Sequence, residues 1–301
     1  MADLDKTQEQ IQKYLEERLN KTERVITKQY SLLLESIRIE LTKLYEKYEV
    51  GGKLTYTEMA KYDRLKRFLE YIDELLLLNY KDVRKAIIAT LGETYLQGYY
   101  MMGWAVETAT LSKLAYSAVP AATITAMINN PITGLTLNDR LNKNRADIIY
   151  RIQQEVTQGL VQGESYGAMA KRLKTSLEGD VNKALRIVRT EAHRVNESAK
   201  LDSVLHANKN GIIMLKSWKN RMDERSRPSH KAANGQTVAV DKDFRIGSAR
   251  GPAPGQLSGG AKENVNCACV VTYEVKTVKK PDAKDLDGMV FDAWMKERVK
   301  V

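Results

Sequence analysis

Residues 26–48 read ITKQYSLLLESIRIELTKLYEKY, and their apolar and aromatic positions Ile26, Tyr30, Leu33, Ile37, Leu41, Leu44 and Tyr48 are spaced 4, 3, 4, 4, 3 and 4 apart. That is 22 residues in six turns, about 3.67 per turn, an eleven-residue period rather than the seven of a left-handed coiled coil. The spacing predicts one nearly straight amphipathic helix over 4–49, packed on other helices. At ~1.5 Å per residue such a helix spans roughly 65–70 Å, the length of a strut or arm. Gly51-Gly52 stops it.

Helical signals continue outward from this stretch. Thr55 and Glu58 have capping-box spacing, with Leu54 and Met59 as the hydrophobic staple. A second helix is expected to about Asn79, and a third over 81–117, bent near Gly98 and Gly103. The most apolar stretch, Tyr95 to Asn130, contains Glu107, Lys113 and Pro120 and reads as buried helix rather than a membrane span. Asn138 is a reasonable N-cap for a helix to about Gln162. Ser165 caps another to about Leu177; Gly179 then reads as a break, and Asp180 as the cap of a long basic helix through about His206.

After Gly211 the texture changes. Ile212 to Trp218 reads as a strand, Pro228 to Ala233 as a short helix, Gln236 to Val240 and Cys269 to Val275 as further strands, and Asp285 to Val299 as a terminal amphipathic helix. Residues 247–260 are rich in Gly, Ala and Pro and read as a long loop with little capacity to pack. The expected fold is mainly α: a long helical N-terminal region (1–135) and central helices (136–210), followed by a small α+β module (211–278) and a C-terminal helix (279–301).

Charge separates these regions. The chain carries 48 basic and 38 acidic side chains, a net +10. Residues 1–80 hold 14 basic and 15 acidic groups, whereas residues 181–301 hold 23 and 14. A polyanion such as nucleic acid is therefore expected at the last third, and a protein partner at the near-neutral helical region. The basic helix offers Lys183, Arg186, Arg189 and Arg194 to phosphates, without a base-reading motif. Two cysteines exclude a disulfide-stapled scaffold, and the N-terminus has no apolar targeting segment.

Chemistry-bearing residues cluster late in the chain. The run Trp218 to His230 contains Asp223, Arg225 and Arg227, which can pin a turn by ion pairs. In Asn266-Cys267-Ala268-Cys269 the two cysteines share a face of an extended segment. With His230 they make a soft donor set suited to zinc, for which His193, His206 or Asp223 could supply a fourth ligand. The same atoms could form a Cys–His–Asp catalytic set, or serve only as small buried residues. No phosphate loop or nucleotide fingerprint is present, so an enzyme is not expected.

Three stretches together resemble the phage head morphogenesis family, minor head proteins similar to the Mu F protein. They are Gly163-Glu164-Ser165-Tyr166; Arg189-Thr190-Glu191-Ala192-His193-Arg194-Val195-Asn196; and Trp218, Asp223-Glu224-Arg225, Arg227-Pro228-Ser229-His230 and Asn266-Cys267-Ala268-Cys269. The family usually shows Asn-Cys-Arg-Cys, so Ala268 is a departure. The resemblance covers roughly residues 135–275. It implies a non-enzymatic phage minor capsid protein, without cofactor, acting in procapsid assembly. Its implied partners are the portal protein, the major capsid or scaffolding protein, and genomic DNA through non-specific electrostatics. The implied place is the virion interior near the portal, after assembly in the host cytoplasm without a membrane. On this reading Glu191, Arg194, Trp218, Asp223, Arg225, His230 and Asn266 organise the C-terminal module. A metal-dependent hydrolase or nuclease-like effector built on His230, Cys267 and Cys269 is the alternative.

Overall fold

A computed structural model describes residues 4–132, 134–278 and 283–299. The long helices are α1 (Leu4–Tyr48), α3 (Arg64–Thr110), α5 (Leu137–Val161) and α6 (Tyr166–Lys209), with short helices α2 (Tyr56–Ala60) and α4 (Ala121–Asn129) between them. The C-terminal part adds β1 (Ile212–Lys219), α7 (Pro228–Ala232), β2 (Thr237–Ala239), β3 (Phe244–Ile246), β4 (Ala249–Gly251), α8 (Ala261–Asn264), β5 (Val270–Val278) and α9 (Phe291–Arg298). The fold is mainly α with a small sheet-containing region, as the sequence pattern expected. Among the described residues no helix is long and apolar enough to cross a membrane.

The chain forms two compact units that are interleaved in sequence, a different division from the consecutive segments expected. One comprises Lys21–Ile88 and Asn138–Val188. In it, α1 is not a free arm: Ile26, Tyr30, Leu33, Ile37, Leu41 and Tyr45 are all buried. The stripe ends on Tyr45 rather than on Leu44 and Tyr48, because the Tyr45 hydroxyl donates to the Glu164 carbonyl at 2.8 Å and its ring meets Tyr166 edge-on. Thr55 caps α2 as expected, accepting from the Glu58 N–H at 3.3 Å, with Leu54 and Met59 buried beside it. Helix α3 runs unbroken through Asn79, whose side-chain amide donates to the Gln29 carbonyl at 2.7 Å. Helix α6 likewise continues through Gly179, and Asp180 is not a cap. Its buried carboxylate pairs with Arg151 and lies 3.8 Å from Lys183.

The other unit comprises Met1–Asn20, Ala89–Leu137 and Arg189–Val301. Its three-stranded sheet has the order β2-β1-β5, antiparallel throughout, and β3 and β4 form a separate hairpin. On β1 the residues Ile212, Met214, Lys216 and Trp218 point inward, the period of two that a half-buried strand requires. Trp218 packs edge-on against Phe244, with Met102, Val106 and Trp294 in the same core. Gly98 and Gly103 do not bend α3; they let neighbours approach. A β-carbon at Gly98 would lie 3.2 Å from that of Ala199, and one at Gly103 would lie 2.8 Å from the Tyr116 ring. The segment 247–260 also departs from expectation. It contains β4, and Ala253, Gly255 and Leu257 are buried. The expected terminal helix is shorter, because Gly288 takes a left-handed φ of 71° and α9 begins only at Phe291. Trp294 anchors α9 by donating to Glu107 at 2.7 Å.

Gly179 stands inside a continuous helix with open space where a β-carbon would be. Gly179→Ala is expected to stabilise the protein by about 0.5–1 kcal/mol, because it restricts the unfolded chain without a clash. A urea-unfolding midpoint that falls instead would mean that the helix breaks there.

Candidate functional site

The site is built on one turn-by-turn row of α6. Ridge positions Ala192, Val195 and Ala199 are apolar and buried, yet Glu191, Arg194, Glu197 and Lys200 between them are buried too. Buried charges require full pairing. The Arg194 Nε and Nη2 both donate to Glu191 Oε2, at 3.0 and 2.9 Å, and Nη2 also donates to the Met127 carbonyl at 2.9 Å. Burial pulls the Arg194 guanidinium down to about 10. The next pair, Lys200 and Glu197 (2.6 Å), grips one residue of β5. Glu197 Oε2 accepts the Val271 N–H at 2.9 Å, and Lys200 donates to the Val271 carbonyl at 3.3 Å. The helix thus takes the place of a neighbouring strand at that residue.

The Gly/Pro segment closes on the same face. A β-carbon at Gly255, where φ is 79°, would lie 3.0–3.2 Å from Arg194 backbone and side-chain atoms. Gln256 donates to Ser198 Oγ at 2.9 Å. Two more α6 residues reach the cysteine segment. Thr190 Oγ1 accepts the Asn266 N–H at 3.3 Å, and His193 Nε2 donates to the Cys269 carbonyl at 2.8 Å. Burial holds the His193 pKa below the usual histidine range.

Behind this row lie His230, Cys267 and Cys269, all buried. His230 is fixed by α7, which Pro228 starts at its first turn. Its ring stands edge-on to Trp218 at 5.6 Å. Nδ1 lies 3.4 Å from Cys269 Sγ and 3.5 Å from Cys267 Sγ, and Nε2 lies 2.8 Å from Glu263 Oε2. Asn220 donates its amide to Cys269 Sγ at 3.1 Å. Cys267 and Cys269 face inward while Ala268 is exposed, the parity of an extended segment. The Cys269 thiol is pushed down by the hydrogen bond from Cys267, against burial, with His230 and Asn220 assisting. Cys267 is pushed up, by the same pairing and by burial. For His230 burial acts downward, but Cys269 and Glu263 outweigh it and the net shift is upward.

The sequence expectations divide on this geometry. Glu191 with Arg194, Trp218, His230, Asn266, Cys267 and Cys269 come together. Arg194 does not face phosphate: it is 1% exposed and fully engaged. Arg186 and Arg189 are exposed, and Lys183 is half-buried beside Asp180. Arg225 does not organise the module, since its side chain is 88% exposed and 3.7 Å from Asp223. Asp223 accepts from Ser226 Oγ at 2.7 Å, which pins its own turn, and it is not the carboxylate beside His230. That partner is Glu263, which sequence reasoning missed; its one signal is an acid four residues before Cys267. Also missed was Lys216, fully buried on β1, which donates to the Pro252 carbonyl at 2.8 Å and lies 5.0 Å from the Phe244 ring centre.

The family described as Phage Mu protein F like protein matches residues 150–272, which hold the charged row, His230 and both cysteines. The chain is also 31% identical over 301 residues to the minor head protein GP7 of Bacillus phage SPP1, covering 97% of each. This chain belongs to the Mu F-like family of phage minor head proteins. A second relative is the NAD(+)–arginine ADP-ribosyltransferase EFV of Enterococcus faecalis, 28% identical over 308 residues, covering all of this chain and 62% of that protein. No solved structure matches.

Two outcomes follow for this Mu F-like chain. Arg194→Met removes the cation paired with buried Glu191 and is expected to cost about 3–5 kcal/mol, whereas Arg194→Met with Glu191→Leu together costs less; the double-mutant cycle completed by Glu191→Leu alone, measured by chemical denaturation, gives the coupling. Burial lowers the Lys216 pKa from 10.5 to about 8. Between those values the unfolded chain holds a proton that the folded one has released, so this lysine makes stability rise with pH across that window. Lys216→Met is expected to remove that rise from the pH dependence of the unfolding free energy.

Proposed function

We propose that this chain is a structural protein of a phage head, incorporated during procapsid assembly, held at the portal on the inside of the shell and lying against packaged DNA. The observation that carries the reading is the end-to-end likeness to a minor head protein, with 97% of both chains aligned. The likeness is not confined to residues 150–272 but takes in α1 and α3 as well. Membership of the family supports the role in the head and association with other head components.

The finer points rest on surface chemistry. Residues 181–301 carry nine more basic than acidic groups. On the β3–β4 hairpin, Arg245 and Arg250 are cross-strand partners and both are exposed. Like charges placed opposite each other repel, and an anion between them relieves the repulsion. Sequence-independent phosphate contact is the reading this supports. We read the function as non-enzymatic. The transferase relative extends well beyond the part aligned here, and we assign its named activity to that remainder.

The test is affinity capture of the tagged chain from cells making phage particles, with mass spectrometry of the captured proteins and of purified heads. The chain is expected in the heads and in complexes with portal protein; its absence from purified heads would overturn the proposal. Binding to a random-sequence duplex is expected to weaken steeply between about 50 and 200 mM salt. Arg245→Glu with Arg250→Glu is expected to weaken it further at every salt concentration.

A further inference from the structure

Among the described residues, His230, Cys267 and Cys269 form the one cluster of three or more metal-ligating side chains, their ligand atoms all within 4.8 Å of one another. We propose that this cluster binds one zinc ion, through the Nδ1 of His230 and the two thiolates. Four independent features point there.

The first is spacing. Ligands at 2.0–2.1 Å for nitrogen and 2.3 Å for sulfur, set at tetrahedral angles, stand roughly 3.6 Å apart. His230 Nδ1 already lies 3.4 and 3.5 Å from the two sulfurs. The second is the tautomer. Glu263 is an acceptor only, so the 2.8 Å contact places a proton on His230 Nε2 and leaves the Nδ1 lone pair aimed at the sulfurs. A carboxylate behind a ligating histidine is the arrangement that orients such a ring on zinc. The third is the sulfur environment. The Asn220 amide on Cys269 Sγ is a donor that stabilises a coordinated thiolate.

The fourth is the scaffold. The arm bearing His230 and the arm bearing the cysteines are already tied by Arg227, which donates to the Val265 carbonyl at 2.6 Å. Asn266 turns the chain into Cys267 with a left-handed φ of 54°. An ion would clamp the same two arms. His193 is spent on the Cys269 carbonyl, His206 on the Leu114 carbonyl and Asp223 on Ser226, so the fourth position falls to water. Zinc takes both sulfurs as thiolates, and any proton they carry passes to solvent, while the imidazole binds as the neutral ring.

The experiment uses the full chain, purified from zinc-supplemented medium without chelator. Elemental analysis is expected to give about one zinc per chain. Cobalt exchanged into the site is expected to show sulfur-to-metal charge transfer and the visible bands of a tetrahedral ion. Cys267→Ser with Cys269→Ser abolishes both, its folding checked by circular dichroism. Glu263→Gln keeps an acceptor beside His230 and is expected to weaken zinc binding by about 10–100-fold in a chelator competition. A metal-free wild-type chain whose cobalt complex lacks the thiolate band would overturn the proposal and leave a hydrogen-bonded cluster. A mass lower by two hydrogens under non-reducing conditions would overturn it in favour of a Cys267–Cys269 disulfide.

Discussion

The burial of four charged side chains within three turns of α6 is the constraint on which the C-terminal unit depends. Removing Glu191, Arg194, Glu197 and Lys200 from water carries a desolvation cost that only complete pairing offsets. The pairing is directional. Arg194 reaches both Glu191 and the Met127 carbonyl, Glu197 takes the N–H of Val271, and Lys200 takes its C=O. An apolar helix face could slide along the sheet at small cost. This one cannot shift by a residue without stranding a charge, so the row sets the register of helix, sheet and Gly/Pro segment together.

That constraint explains what the sequence disclosed and what it hid. Periodicity carried α1, whose apolar stripe repeats at the helical period and not at the period of two of a strand, and alternation carried β1. Glycine was the ambiguous letter. Gly179, Gly98 and Gly103 all read as interruptions, yet all lie within helices. At Gly98 and Gly103 the missing side chain admits a neighbour, a fact about three dimensions that spacing along one chain does not contain. The segment 247–260 was misread for the same reason. Its small residues signify that the α6 backbone passes within contact of Gly255, not that the loop lacks packing.

The candidate site was half legible. Histidine and paired cysteines are rare enough in this chain to be noticed wherever they fall. Carboxylates are common, and Asp223 was the one the sequence offered as the acid beside His230. Space reverses it: Asp223 closes a local turn with Ser226, while α8 carries Glu263 back onto the imidazole. Arg194 was legible as important and wrong as a phosphate ligand, since a basic helix reads as a solvated face until its neighbours are known.

Cys269 joins the charged row to the cluster. Its carbonyl accepts from His193 of α6, its sulfur meets His230 and Asn220, and β5 begins at the next residue with Val271 held by Glu197 and Lys200 two positions on. Stretches some 70 residues apart in sequence are therefore one constellation, and a change that moves the cysteine segment must also disturb the ion pairs. Ala268 is the exception. It is exposed between two inward-facing cysteines, so an arginine there, as in the family's usual Asn-Cys-Arg-Cys, would extend into solvent and leave the thiols where they are. The departure at Ala268 thus alters what this edge of the module presents to a partner and not how the module is held together.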